Sequence, residues 1–205
     1  MRGRVALAVS LPLLWSNGVV PRLPEDMRLR TLVNAGAATG YALAFGARPN
    51  WCSARGRRYG LGSAGIVAAG YGAALAIPAV RRELAERPDR APGVSTAEWV
   101  GIHIPLGTVY SEELIFRATL EPLLDKTFGP RIATLLGATT FGLWHIAPAR
   151  ATGENVAVTV GATAAAGALF GLLRRCTDSA TAPALLHWAI NAGGALAARF
   201  AVGNR

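Results

Sequence analysis

Long apolar stretches separated by short polar connections dominate this chain. A membrane-spanning helix needs about 20 mostly apolar residues, within a range of about 17–25. Seven stretches approach that pattern: residues 5–20, 31–47, 61–80, 99–124, 131–148, 156–173 and 179–202. The first is short and contains Asn17. The connection over residues 81–96 is polar and proline-bearing, and reads as a loop. Pro122 predicts a kink or an end in the fourth stretch. Ser179 is placed to cap the seventh, with Pro183 tolerated in its first turn. Strand-like alternation does not persist anywhere, and no repeat of solenoid period is present. The pattern predicts an all-α fold, a polytopic membrane helix bundle of about seven transmembrane helices. Residues 1–98 would form N-terminal membrane helices with a polar connection, and residues 99–205 a helical core, the two making one integral membrane unit. Glycines spaced four apart, Gly36 with Gly40 and Gly167 with Gly171, predict close helix contacts in lipid.

Composition supports the membrane reading. Of 205 residues, 52% are hydrophobic and only 16% charged, too apolar for an ordinary soluble domain. The net charge is +9, supplied almost wholly by arginine, with Lys126 the single lysine. Such basicity raises the question of nucleic acid, but no binding motif or basic face supports that partner. The arginines flank apolar stretches, as in Arg55, Arg57 and Arg58 or Arg81 and Arg82, where they face lipid headgroups. The expected partner is therefore the lipid bilayer. The positive-inside rule gives no orientation, because the basic residues other than Arg117 divide ten and ten between the two sides of a seven-span arrangement. Arg2 and Arg4 before an apolar run resemble the start of a signal peptide, but no A-x-A cleavage pattern follows, so a retained first helix is expected. Cys52 and Cys176 fall in predicted loops and make no metal-finger or redox spacing. The abundance of arginine and alanine points to a GC-rich bacterial genome and thus to a multi-pass protein of a bacterial cell membrane.

Against this background the string Ser111-Glu112-Glu113-Leu114-Ile115-Phe116-Arg117 stands out. A charge at the bilayer centre costs about 2.5–3.5 kcal/mol on insertion scales, and intramembrane ionisable residues usually mark function. On a helix each residue advances about 100°. Glu113 and Arg117, four apart, share a face and can pair. Glu112 points about 100° away and has no same-helix cation on its face. A carboxylate beside an arginine is the poorer base. Glu112 is therefore the candidate general base, and Glu113 with Arg117 the positioning pair. In the fifth stretch Phe141 and His145 share a face. In the seventh, His187 and Asn191 lie one turn apart, a spacing at which two donors can hold one oxygen, as an oxyanion site requires. The remaining histidine, His103, lies nine residues before Glu112, on the opposite face and about 13 Å away along the axis. It is expected to be structural or interfacial.

These three motifs, in this order, resemble the CPBP family, the CAAX-protease and bacteriocin-processing (Abi) intramembrane proteases. The family pattern EExxxR matches Glu112, Glu113 and Arg117; FxxxH matches Phe141 and His145; the HxxxN-type motif matches His187 and Asn191. The likeness covers residues 100–194, about half the chain. It implies a helical membrane fold with a water-filled site enclosed by the fourth, fifth and seventh helices, and peptide-bond hydrolysis of a protein or peptide substrate by an activated water. Glu112 would take the water's proton, His145 would orient the water, and His187 with Asn191 would stabilise the oxyanion. The resemblance also allows a zinc site from Glu112, His145 and His187 with an open water position. A scheme without metal uses the same residues and is favoured, because Asn191 fits it better. Two other readings compete: a non-proteolytic membrane scaffold or immunity protein of the same family, and a proton-coupled transporter, against which stands the lack of an internal repeat.

Overall fold

The computed structural model describes residues 2–86 and 93–203. Among these every regular element is helical and no strand occurs. The helices are α1 (Arg2–Leu14), α2 (Met27–Ala44), α3 (Ala54–Ala76), α4 (Pro78–Glu86), α5 (residues 96–128), α6 (Pro130–Trp144), α7 (Ile146–Ala151), α8 (Val156–Thr177) and α9 (Thr181–Gly203). Helix occupies each of the seven expected stretches with shifted ends, but 61–80 is interrupted at Ile77 and 131–148 at His145. The expected loop at 81–96 is partly helical, because α4 occupies its start. Arg87, Arg90 and Arg205, three of the counted charges, lie outside the described residues.

Four described segments are long and apolar enough to cross a membrane: Gly3–Arg22, Ala54–Ala76, Pro130–Ala151 and Val156–Thr177. This is fewer than the seven expected. The three long helices that fall short are α2, α5 and α9, and each is diluted by polar side chains. Arg28, Arg30 and Asn34 interrupt α2; α5 carries Glu112, Glu113, Arg117, Glu121 and Asp125; α9 carries His187, Asn191 and Arg199. The packing is that of a membrane protein. Leu32, Leu43, Leu61, Ile66, Leu135 and Val158 point outward, while Glu112, Glu113, Arg117 and Glu121 are buried. Apolar side chains meet lipid, and backbone polar groups are satisfied inside helices.

Helix α5 positions the chemistry. It starts at an N-cap, with the Ser95 hydroxyl accepting from the Glu98 backbone N–H at 3.1 Å, and it ends at Gly129, whose φ of 77° only glycine adopts freely. Its middle is not regular α-helix. Wide π-turns occupy Trp99–Tyr110 and Phe116–Leu120, on either side of the α-helical Ser111–Ile115. Wide turns loosen the hydrogen-bond ladder, and hydroxyls five residues on repair it: Ser111 Oγ donates to the Leu106 carbonyl at 3.0 Å and Thr119 Oγ1 to the Leu114 carbonyl at 2.7 Å. Such π segments recur at functional sites. Pro122 does not end the helix, which runs on to Phe128. It falls in the first turn of the α-helix that resumes at Glu121, where a missing N–H costs least.

Helix α9 packs along α3, and α8 along α6. The two expected glycine pairs behave differently. A Cβ at Gly167 would lie 2.9 Å from the Phe141 ring, and one at Gly171 would lie 2.8 Å from the Glu121 carboxylate. That pair lets α8 close over the α5–α6 core. Gly36 and Gly40 face open space, so they make no helix contact. Cys176 belongs to the last turn of α8 instead of a loop, and both cysteines are free and exposed. Ser179 caps α9 as expected, accepting from the Thr181 N–H at 3.1 Å.

Candidate functional site

Glu112 and Glu113 sit in the buried α-helical piece of α5 between the two π-turns and face different partners. Glu113 is fully buried. His187 Nδ1 lies 2.9 Å from its Oε1, and Arg117 Nε lies 3.5 Å from its Oε2. Glu112 turns the other way, as the helical geometry requires. Its Oε1 accepts from the Trp144 indole N–H at 3.2 Å. Its Oε2 is buried, receives no hydrogen bond from the protein, and lies 3.8 Å from His187 Nε2. One imidazole therefore spans both carboxylates.

Arg117 is 1% exposed. Its guanidinium lies 4.4 Å from the Phe141 ring centre and 5.2 Å from that of Phe170, so aromatic faces replace part of its lost hydration. It also meets a carboxylate absent from the motif reading: Glu121 Oε1, at 3.6 Å. Glu121 is buried in turn against Arg174 and Arg175, which bind Asp125 as well. The missed signal was the spacing. Glu113, Arg117, Glu121 and Asp125 recur every four residues and form one charged stripe along α5. The apolar neighbours of Glu121 concealed its continuation.

His145 stands where the fifth stretch breaks. Its backbone (φ −90°, ψ 6°) leaves the α conformation and separates α6 from α7. Its Nδ1 lies 2.8 Å from the Phe141 carbonyl oxygen. A carbonyl only accepts, so Nδ1 carries the hydrogen and Nε2 of the neutral ring is the acceptor. The break strands backbone groups, and the π-turn Trp15–Val19 that follows α1 satisfies them. Ser16 Oγ donates to the Trp144 carbonyl at 2.6 Å, Asn17 Nδ2 donates to the Leu143 carbonyl at 3.0 Å, and Asn17 Oδ1 accepts from the Ala147 N–H at 2.8 Å. Asn17, a blemish in an apolar stretch by sequence, is the clamp of this corner.

His187 is buried, stacked on Phe170 with ring centres 5.0 Å apart. Asn191 follows one turn later, half-buried, with no hydrogen bond to the other site residues. His103 is structural as expected, bonded to Thr31 at 2.8 Å and to Glu98 at 3.2 Å. Among the described residues no three His, Cys, Asp or Glu side chains are grouped to hold a metal ion. The set Glu112, His145 and His187 is therefore not grouped as zinc ligands in this structure.

The fold and these residues define a class: a polytopic helical membrane protein with a buried carboxylate–histidine centre. Residues 95–193 match the family model described as Type II CAAX prenyl endopeptidase Rce1-like. That is a model of the CPBP family, and all six candidate site residues lie inside the matched stretch. No curated protein and no solved structure matches the chain.

Proposed function

We propose that the protein is an intramembrane endopeptidase of the CAAX-processing type, hydrolysing a peptide bond with a water activated by Glu112. One observation carries the reading. Within the family-matched stretch, Glu112 is a buried carboxylate with one oxygen held by Trp144 and the other free of hydrogen bonds beside His187. The free Oε2 is the proton acceptor. As the water oxygen bonds to the substrate carbonyl carbon, its proton passes to Glu112. The same proton then goes to the amide nitrogen, the C–N bond breaks, and a carboxylic acid and an amine leave. The acceptor Nε2 of His145 takes a hydrogen bond from the water's second hydrogen and orients it. His187 and Asn191 donate to the oxyanion. When His187 carries both protons, Nδ1–H is taken by Glu113 and Nε2–H is the one offered. Glu113 and Arg117 hold His187 in place.

The test is cleavage of a prenylated CAAX peptide by the purified protein in detergent, read by mass spectrometry, with matched Glu112→Gln and His145→Ala variants and with a chelator. Cleavage by the wild type that survives chelation and is lost in Glu112→Gln is expected. Wild-type rates in Glu112→Gln would refute the assignment of the base. Cleavage abolished by the chelator and restored by zinc would refute the metal-free route.

A further inference from the structure

Two cavities meet at one side chain, Phe45, and of the residues assigned to hydrolysis only Arg117 lines either of them. The larger, about 580 Å³, opens at one end of the bundle, between the chain after α2, the second half of α5 and the joint of α8 with α9. Arg4, Arg48, Lys126, Arg117 and Arg174 line it, against a single acid, Asp178. Arg48 and Lys126 are exposed, and among the described residues neither is in an ion pair. Arg117 is 1% exposed, and its Nη1 and Nη2 make no hydrogen bond. Its ion pairs are made through Nε. The exposed cations thus stand at the rim of this cavity, and Arg117 adds buried positive charge to its wall. The smaller cavity, about 300 Å³, is an almost wholly apolar groove between α1 and α2, lined by Leu11, Trp15, Gly40, Tyr41 and Ile115. From Ala37 to Phe45 it follows α2 for about 12 Å.

We infer that the two cavities together hold one anionic phospholipid, with its phosphate headgroup in the basic cavity and an acyl chain in the groove. Charge selects the headgroup: a basic pocket between membrane helices recognises anionic lipid headgroups, and a zwitterionic headgroup leaves the cations less well compensated. The shared wall at Phe45 selects an amphiphile. Inorganic phosphate or a peptide carboxylate would satisfy the cations and leave the groove unused. The inference does not depend on the protein being a protease.

The test uses the full chain, delipidated in a non-ionic detergent, with the unfolding midpoint followed against four probes: dioleoylphosphatidylglycerol, dioleoylphosphatidylcholine, inorganic phosphate, and a short peptide with a free or an amidated C-terminus. Phosphatidylglycerol is expected to raise the midpoint saturably and the other probes to do so weakly or not at all. Arg48→Ala with Lys126→Ala should weaken phosphatidylglycerol binding about thirtyfold, at about fivefold for each cation. Gly40→Leu should block the groove and also weaken it. A Cβ at Gly40 meets nothing within 4 Å, so the substitution brings no clash at its first side-chain atom. Gly36→Leu, equally open but outside the groove, should bind as wild type does. Equal stabilisation by the two lipids, saturation by inorganic phosphate or the free-carboxylate peptide at the same concentrations, or unchanged binding in Gly40→Leu would each overturn the proposal.

Discussion

The face of α5 that carries Glu113 and the face that carries Glu112 begin one residue apart and use their charges in opposite ways. On the first, Glu113, Arg117, Glu121 and Asp125 repeat every four residues, with His187, Arg174 and Arg175 set against them. Every carboxylate there has a cation, and the aromatic rings of Phe141 and Phe170 close over the arginine. On the second face a single carboxylate has one indole donor and one oxygen without a hydrogen bond. Burying a charge is tolerable only when it is opposed or hydrogen-bonded. The Glu113 face meets that condition through its arginines, although Glu113 Oε2 and Glu121 Oε2 also receive no hydrogen bond. The Glu112 face has no arginine, only the indole and a histidine nitrogen 3.8 Å away, and under the proposed mechanism this is the carboxylate that does the chemistry.

The sharpest way to separate the two faces is to neutralise each carboxylate in turn. Glu112→Gln keeps the shape and can still meet the Trp144 indole, so the unfolding midpoint should stay near that of the wild type. Peptide cleavage should fall roughly 10²–10⁴-fold, the usual contribution of a general base, equivalent to about 2.7–5.5 kcal/mol in the barrier. Glu113→Gln should do the reverse in emphasis, lowering the midpoint and reducing cleavage only as far as His187 is displaced. Equal losses of stability in both variants would erase the distinction. Next in size is Arg117→Met. Removing one member of a buried ion network costs about 3–5 kcal/mol, because Glu113 and Glu121 are then left facing each other without the cation between them. Thermal unfolding in detergent measures it, and a midpoint unchanged from the wild type would show that the stripe is not structural.

A third comparison sets the stripe against the corner at His145. There the supports are neutral and come from the other end of the chain: Ser16 and Asn17 hold the backbone on either side of His145. Asn17→Ala leaves the Ala147 N–H and the Leu143 carbonyl without that partner. A buried polar group left unsatisfied costs about 1–3 kcal/mol, less than the arginine because no charge is exposed to lipid. Cleavage should fall with it, since His145 loses its frame, while Leu13→Ala, which leaves the clamp intact, should spare activity.

These comparisons also show what sequence could and could not reveal. The apolar stretches predicted every long helix, and the three motifs located the buried side chains, because both depend on local spacing along one helix. Helix faces alone separated Glu113, with its arginine, from Glu112. Partners supplied from elsewhere were not legible. Glu121 looked like an isolated acid until α8 brought Arg174 and Arg175 to it. Asn17 looked like a defect in the first helix until the break at His145 gave it two backbone groups to serve. Gly36 and Gly40 carried the same small-residue signal as Gly167 and Gly171, yet only the second pair has a helix against it. Spacing states which groups share a face; it does not state what covers that face.

The smallest effect lies at the entrance to α5, outside the buried stripe, where an ion pair open to water offers the opposite limit to Arg117. Arg28 of α2 binds Glu98 through both carboxylate oxygens, at 2.7 Å and 3.1 Å, and His103 adds a contact at 3.2 Å. These bonds, Arg28 first, hold the Glu98 carboxyl down at about 2 against an ordinary 4.5. A depressed folded-state value means that the stabilisation is complete above about pH 4.5 and is lost as pH falls towards 2. The unfolding midpoint of the wild type should therefore approach that of Glu98→Gln across this window and match it at the acid end. Because the pair is solvent-exposed, high salt should shrink the difference at every pH. Arg117→Met, tested in the same series, should keep its deficit in high salt, since a buried network is screened far less. A deficit that vanished with salt in both variants would place Arg117 among the surface charges.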